Sequence, residues 1–183
     1  MIVNTKHGKV EVDIYRDKEG ISENIRFFRI IATDGQTEVG HLNFKTNENG
    51  HVWIYHIETN QFFQHKGVAQ AMLDVFEVFC VKEENSHHVE GRYFPENEFA
   101  KPFYEKNDFD IFEDCYDYFI LKNFDKTKIL TQTAKNIEGE MKVLDYTTFK
   151  QQKQKQEEAK GIVKHFKNKK PFSQNFEQDN FQF

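Results

Sequence analysis

The chain has 183 residues, 38% of them hydrophobic with 20 Phe and one Trp, which is enough for one packed core and an appendage but too little for two large domains. A net charge of -5 hides a division: acids dominate residues 1–147, whereas residues 148–170 carry eight Lys against only Glu157 and Glu158, so a boundary is expected near residue 147. No apolar run approaches the ~20 residues that span a bilayer, "MIVNTKHGKVEVD" does not read as a secretory signal, and Cys80 and Cys115 fit neither a metal spacing nor a disulfide framework, so a soluble cytoplasmic protein with no membrane partner and no metal is expected.

In "KVEVDIY", Val10, Val12 and Ile14 alternate with charged neighbours, the period of a half-buried strand, and the polar turn "RDKEGISEN" is expected to end it. "IRFFRIIAT" and "EVGHLNF" then form an antiparallel pair across the hairpin signal Asp34-Gly35. After the turn "NENG", "HVWIYHIE" has two well-filled faces and reads as a central fourth strand. From Gly67 the period becomes helical, with Val68, Ala71, Met72, Val75, Phe76 and Phe79 on one face to about Glu83. "HHVEGRYF" reads as a short strand. "NEFAKPFYEKN" reads as a short or bent helix holding Pro102, and "FDIF" and "YDYFILKNF" as two strands around Glu113-Asp114. The order β, β, β, β, α, β, α, β, β predicts an α/β or α+β domain with a mixed sheet.

Beyond Asn123 the pattern weakens. We expect a domain over 1–123, a connecting segment over 124–147, and a Lys/Gln-rich tail over 148–183 with an exposed helix around Phe149 to Phe166 and a mobile, Phe-containing end.

The stretch "QHKGVA" at 64–69 sits where strand gives way to helix. Backbone N–H groups at a helix start lack intrahelical partners and lie at the positive end of the macrodipole, so an anion can be held there where small residues let it approach. Gly67 and Ala69 are small and Lys66 adds charge, although a strand-to-helix turn with one Gly is by itself ordinary punctuation.

A second string, "NEFAKPFYEKNDF", follows some thirty residues on. Together, Gln64, Gly67 and Ala69 in the first string and Asn97, Ala100, Phe103, Tyr104, Glu105, Lys106 and Phe109 in the second resemble the two best-marked motifs of the GNAT superfamily of acetyl-CoA-dependent N-acetyltransferases. The resemblance covers roughly residues 10–123. It implies a mixed, mostly antiparallel sheet flanked by helices, whose fourth and fifth strands splay to admit coenzyme A. It also implies that the amides of Gln64, His65, Lys66, Gly67, Val68 and Ala69 bind the pyrophosphate, and that the main chain of Ile57, Glu58 and Thr59 serves the thioester carbonyl.

Acetyl transfer to an amine needs a base for the ammonium and an acid for the departing thiolate. In the motif's terms Tyr104 stands where many relatives place the acid, and a phenol with an ordinary pKa of about 10 carries its proton at neutral pH; the alternative is a packing role. Asn97 would bond the pantetheine or cap the following helix. The base is left among Glu58, His56 and His51; strand alternation places His51 and His56 on opposite faces unless a bulge intervenes.

Two departures from the motif matter. Asp108 replaces the usual glycine, in a turn whose left-handed backbone Asp tolerates. "RDKEGISEN" stands where relatives usually carry one or two helices that wall the acceptor site, so the acceptor cleft is open, or is completed by another chain, as in a homodimer, or by the tail. The tail's charge run reads as a solvated face rather than a nucleic-acid surface. The expected function is transfer of an acetyl group from acetyl-CoA to a primary amine of a small molecule or protein. The alternative is a non-catalytic acyl-CoA-binding or interaction module that works through the basic tail.

Overall fold

The computed structural model describes residues 1–159, apart from 23, 36, 95 and 114–117. The strands are β1 (Ile2–Thr5), β2 (Gly8–Ser22), β3 (Ile25–Asp34), β4 (Thr37–Asn47), β5 (Val52–Thr59), β6 (His88–Tyr93), β7 (Asp110–Glu113), β8 (Tyr118–Asn123), β9 (Ile137–Glu138) and β10 (Val143–Asp145). The helices are α1 (Val68–Lys82), α2 (Ala100–Lys106), α3 (Lys126–Thr131) and α4 (Tyr146–Ala159). Among the described residues the strands make one mixed, mostly antiparallel sheet in the order β7-β8-β6-β5-β4-β3-β2-β1-β9, with β10 parallel to β2. This is the mixed sheet flanked by helices that the strand and helix order predicts.

Alternation decides which residues face the core. Val10, Val12 and Ile14 of β2 turn to one side with Phe28, Ile30, Leu42 and Phe44, and α1 lies on them. All six apolar positions expected on the face of α1 are buried. Aromatic rings fill the layer: Phe28 stacks on Phe44 at 5.1 Å, and Phe76 and Phe79 of α1 meet Phe44 edge-on at 4.9 and 5.9 Å. Cys80 is enclosed there, and burial pushes its thiol well above its ordinary pKa, which leaves it inert.

Two expectations from the sequence fail. "RDKEGISEN" does not end the first long strand at Arg16: β2 continues to Ser22, with its register to β3 shifted between Asp17 and Ser22, so the excursion is absorbed as a bulged ladder rather than a loop. The segment expected only to connect, 124–147, contributes α3, β9 and β10. β9 pairs with β1 and β10 with the stretch of β2 from Ile14 to Arg16, while Ile129 of α3 joins the core. Such two- and three-residue strands carry no readable period, and their pairing depends on an edge that only the folded sheet supplies.

The opposite face of the sheet is covered over β2 and β3 by α4, which begins at Tyr146, ahead of the expected Phe149. Tyr146 and Phe149 pack on Tyr15 and Ile31, and the Tyr146 hydroxyl accepts a 2.7 Å hydrogen bond from Arg29. The expected course of the helix beyond 159, the mobile end, Cys115 and Asp114 lie outside the described residues. No helix among the described residues is long and apolar enough to cross a membrane.

Candidate functional site

β5 and β6 run parallel and pair only from Val52↔Val89 to Ile54↔Gly91. Beyond that point β5 continues to Thr59 beside β4, and β6 continues to Tyr93 beside β8, so a cleft opens between them. The last pair is close: a Cβ on Gly91 would stand 2.7 Å from the Ile54 carbonyl oxygen, so only glycine fits where the strands begin to part.

One wall of the cleft leads to the start of α1. Gly67 is its N-cap with φ +83°, and no side chain caps the helix. A Cβ on Gly67 would also meet Thr5 at 3.1 Å, so this glycine has a structural reason to be there whatever binds beside it. Gln64, His65 and Lys66 are exposed, Val68 is buried and Ala69 half-buried. The first-turn amides are therefore uncapped and no acidic side chain stands in that turn, an electrostatic setting suited to an anion.

The other wall is α2. Tyr104 is 3% exposed and packs among Tyr93, Phe103 and Phe109. Burial, with a smaller contribution from Tyr93, drives its pKa well above the ordinary phenol value, so it holds its proton at any physiological pH. Asn97 is exposed and lies three residues ahead of the helix; its carbonyl accepts from the Ala100 N–H, but the N-cap is Phe99, so the capping role expected for Asn97 is not the one it has. Asp108 adopts φ +60°, the left-handed conformation its place in the motif requires, and pairs with Lys128 at 2.6 Å. The two motif turns touch at the mouth, where the His65 and Phe99 rings meet edge-on at 5.7 Å.

Two hydroxyls at the ends of the strands that part bear on whether a polar ligand suits the site. Thr59 Oγ1 on β5 and Tyr93 Oη on β6 are buried without a hydrogen-bond partner, one from each strand that parts. Buried donors are rarely left so in a finished structure, and the amide-bearing arm of coenzyme A has the groups to satisfy them. Ile57 is half-buried against the core beside them.

The base candidates divide. In the β4–β5 ladder Asn43 faces His56 while the next residue, Phe44, faces Ile54, so Tyr55 is an extra residue. This bulge returns Trp53 and His56 to the same face, the exception to strict alternation under which His51 and His56 need not stand on opposite faces. They nevertheless lie apart: His51 stands with His88 and Glu90 at the closed end of β5, beside a separate recess of about 420 Å³.

His56 and Glu58 are joined by His41, which the sequence reading missed. His56 Nε2 is 3.2 Å and His41 Nε2 3.9 Å from the Glu58 carboxylate, and the two imidazoles stack at 5.1 Å. His41 Nδ1 lies 3.2 Å from Glu38, which also pairs with Arg29 at 3.0 Å and Lys153 at 2.9 Å. Burial alone would raise the Glu38 carboxyl, but hydrogen bonds from His41 and Lys153 and the Arg29 charge outweigh it and bring the pKa down to about 2. A His at mid-strand carries no signal of its own; only the register His41↔Glu58 reveals it.

Comparisons with known proteins agree with this geometry. A family profile described as the acetyltransferase (GNAT) family matches residues 6–109. Among solved structures, a provisional streptothricin acetyltransferase from Bacillus anthracis in complex with acetyl coenzyme A matches at TM-score 0.50 and 23% identity, over 58% of this chain and 67% of that one. The PaiA N-acetyltransferase of Thermoplasma acidophilum in complex with coenzyme A matches at TM-score 0.49 and 20% identity, over 55% of this chain and 62% of that one. Ard1 from Thermoplasma volcanium matches at 0.48 and 21%, over 52% and 69%. No curated protein matches the sequence. At such identities the Bacillus structure speaks for the fold and not for a substrate, whereas the family profile spans more than half of the sequence. The chain belongs to the GNAT family of acetyltransferases.

Proposed function

We propose that the chain transfers an acetyl group from acetyl-CoA to a primary amine. The observation that carries this reading is the cleft at the β5–β6 parting, with the uncapped start of α1 beside it and unpartnered hydroxyls, Thr59 and Tyr93, at the ends of the two strands that part. The cosubstrate supplies an activated acetyl thioester. The amides from Gln64 to Ala69, with the charge of Lys66, hold its pyrophosphate, and the free backbone edge of β5 at Ile57, Glu58 and Thr59 polarises the carbonyl. Asn97, exposed ahead of α2, supplies a further polar contact.

A primary amine arrives as an ammonium, and Glu58, 61% exposed at the cleft end, attracts it. Glu58 and His56 take its proton, with His41 beside them; the nitrogen then forms the amide bond as the carbon–sulfur bond breaks, and Tyr104 gives its proton to the sulfur. The acceptor is a small molecule or a protein.

One observation favours the alternative of a non-catalytic acyl-CoA-binding module: Tyr104 is packed among rings as a purely structural tyrosine would be. Thermal shift with acetyl-CoA, followed by thiol release across a panel of amines, separates the readings. Stabilisation with turnover supports the enzyme, stabilisation without turnover on any amine supports the module, and no stabilisation sinks both.

A further inference from the structure

We infer that His41, His56 and Glu58 form a binding site for a transition-metal dication, Zn2+ being the best fit. Their ligand atoms all lie within 4.8 Å of one another. Two ligands about 2.0–2.1 Å from a tetrahedral ion stand roughly 3.3 Å apart. The His56–Glu58 separation of 3.2 Å already meets this, and the His41–Glu58 separation of 3.9 Å needs less than 1 Å of closure, which an exposed carboxylate can supply. Two imidazoles with one carboxylate, and a fourth position open to solvent, is the donor set of an accessible zinc site rather than a calcium or magnesium site, which oxygen ligands would dominate.

The placement is rigid. His41 faces Glu58 and Asn43 faces His56 across a paired ladder, so the sheet itself sets the spacing, and the Tyr55 bulge aims the end of β5 to that side.

Glu38 adds an independent reason. A carboxylate on one nitrogen of a metal-binding imidazole accepts that nitrogen's proton, fixes the tautomer and leaves the other lone pair for the metal. Glu38 stands in this relation to His41, at Nδ1, while Nε2 turns toward Glu58; Arg29 and Lys153 hold the carboxylate in place. The comparable group His51, His88 and Glu90 at the closed end of β5 also brings three ligand atoms within 4.8 Å. Among the described residues, neither of its imidazoles has a carboxylate on the second ring nitrogen, so the first group is the one prepared for a metal.

The test uses the full chain, stripped with chelator and titrated with Zn2+ by calorimetry and with Co2+ by visible absorption. One strong equivalent is expected, with the intense absorption of tetrahedral Co2+. His41→Ala and His56→Ala should each weaken binding at least 100-fold, whereas Glu38→Gln, which keeps all three ligands, should weaken it about 10- to 100-fold. His51→Ala and His88→Ala should leave it unchanged. Should a variant fold poorly, imidazole nitrogen shifts of His41 and His56 in the unaltered chain on Zn2+ addition give the same answer. No strong equivalent, or one that survives loss of His41 and His56 and disappears with His51, overturns the inference.

One consequence rests on the proposed acetyl transfer: bound Zn2+ occupies the lone pairs that would take the amine's proton, so turnover should fall as the site fills. Zn2+ bound at these residues without inhibition would leave the metal site standing and remove them from the reaction.

Discussion

Tyr104 and Glu38 show how burial sets what a side chain can do. Tyr104 keeps its proton because its surroundings are apolar; the acid form stays populated, while the raised pKa makes it a weaker donor to a departing thiolate. Tyr104→Phe retains the ring packing and removes only the hydroxyl. It should lower kcat by about 100-fold with little change in acetyl-CoA affinity, measured by thiol release and by thermal shift; unchanged turnover would leave Tyr104 a packing residue. Glu38 is the opposite case, a carboxyl held charged by its neighbours with its pKa near 2 instead of 4.5. A depressed carboxyl contributes stability above its unfolded pKa and loses it as pH falls from about 4.5 toward 2. The stability difference between the unaltered chain and Glu38→Gln should therefore shrink by about 1–2 kcal/mol between pH 7 and pH 3 in urea unfolding, allowing for solvent screening of a side chain 21% exposed.

At the scale of elements, the cleft depends on braces behind it. Lys122 of β8 donates to Glu77 of α1 and to the carbonyl of Asn107 at the end of α2, while Asn107 accepts from Gln70 of α1 at 2.7 Å, so both walls and the sheet are tied together. Burial already raises the Glu77 carboxyl despite the Lys122 charge. Lys122→Ala strands that carboxyl and should cost about 3 kcal/mol in urea unfolding, whereas Lys122→Met with Glu77→Leu should recover most of the loss. A single variant as stable as the unaltered chain would mean that the pair is no brace.

At the scale of the molecule, α4 determines how much of the second sheet face is exposed. Truncation after Asp145 removes Tyr146 and Phe149 from Tyr15 and Ile31, the Tyr146 partner of Arg29 and the Lys153 partner of Glu38. We expect a loss of about 3 kcal/mol and new binding of a hydrophobic dye. A truncated chain with unchanged melting temperature and no dye binding would restore the separable tail that the charge division suggested.

The sequence by itself determined the strands with clear alternation, the helix with a six-residue apolar face, and both family motifs, because each is a local regularity in which period or spacing suffices. It also located Tyr104, Glu58 and His56 along the chain, without saying which residues they would meet. His41 joins Glu58 through a ladder between strands, the Tyr55 bulge sets the face of His56, and β9 and β10 exist because β1 and β2 offer edges to them. Tertiary structure alone decided these, since register and edge pairing depend on contacts between residues distant in sequence, and a shift of one residue turns every following side chain to the other face.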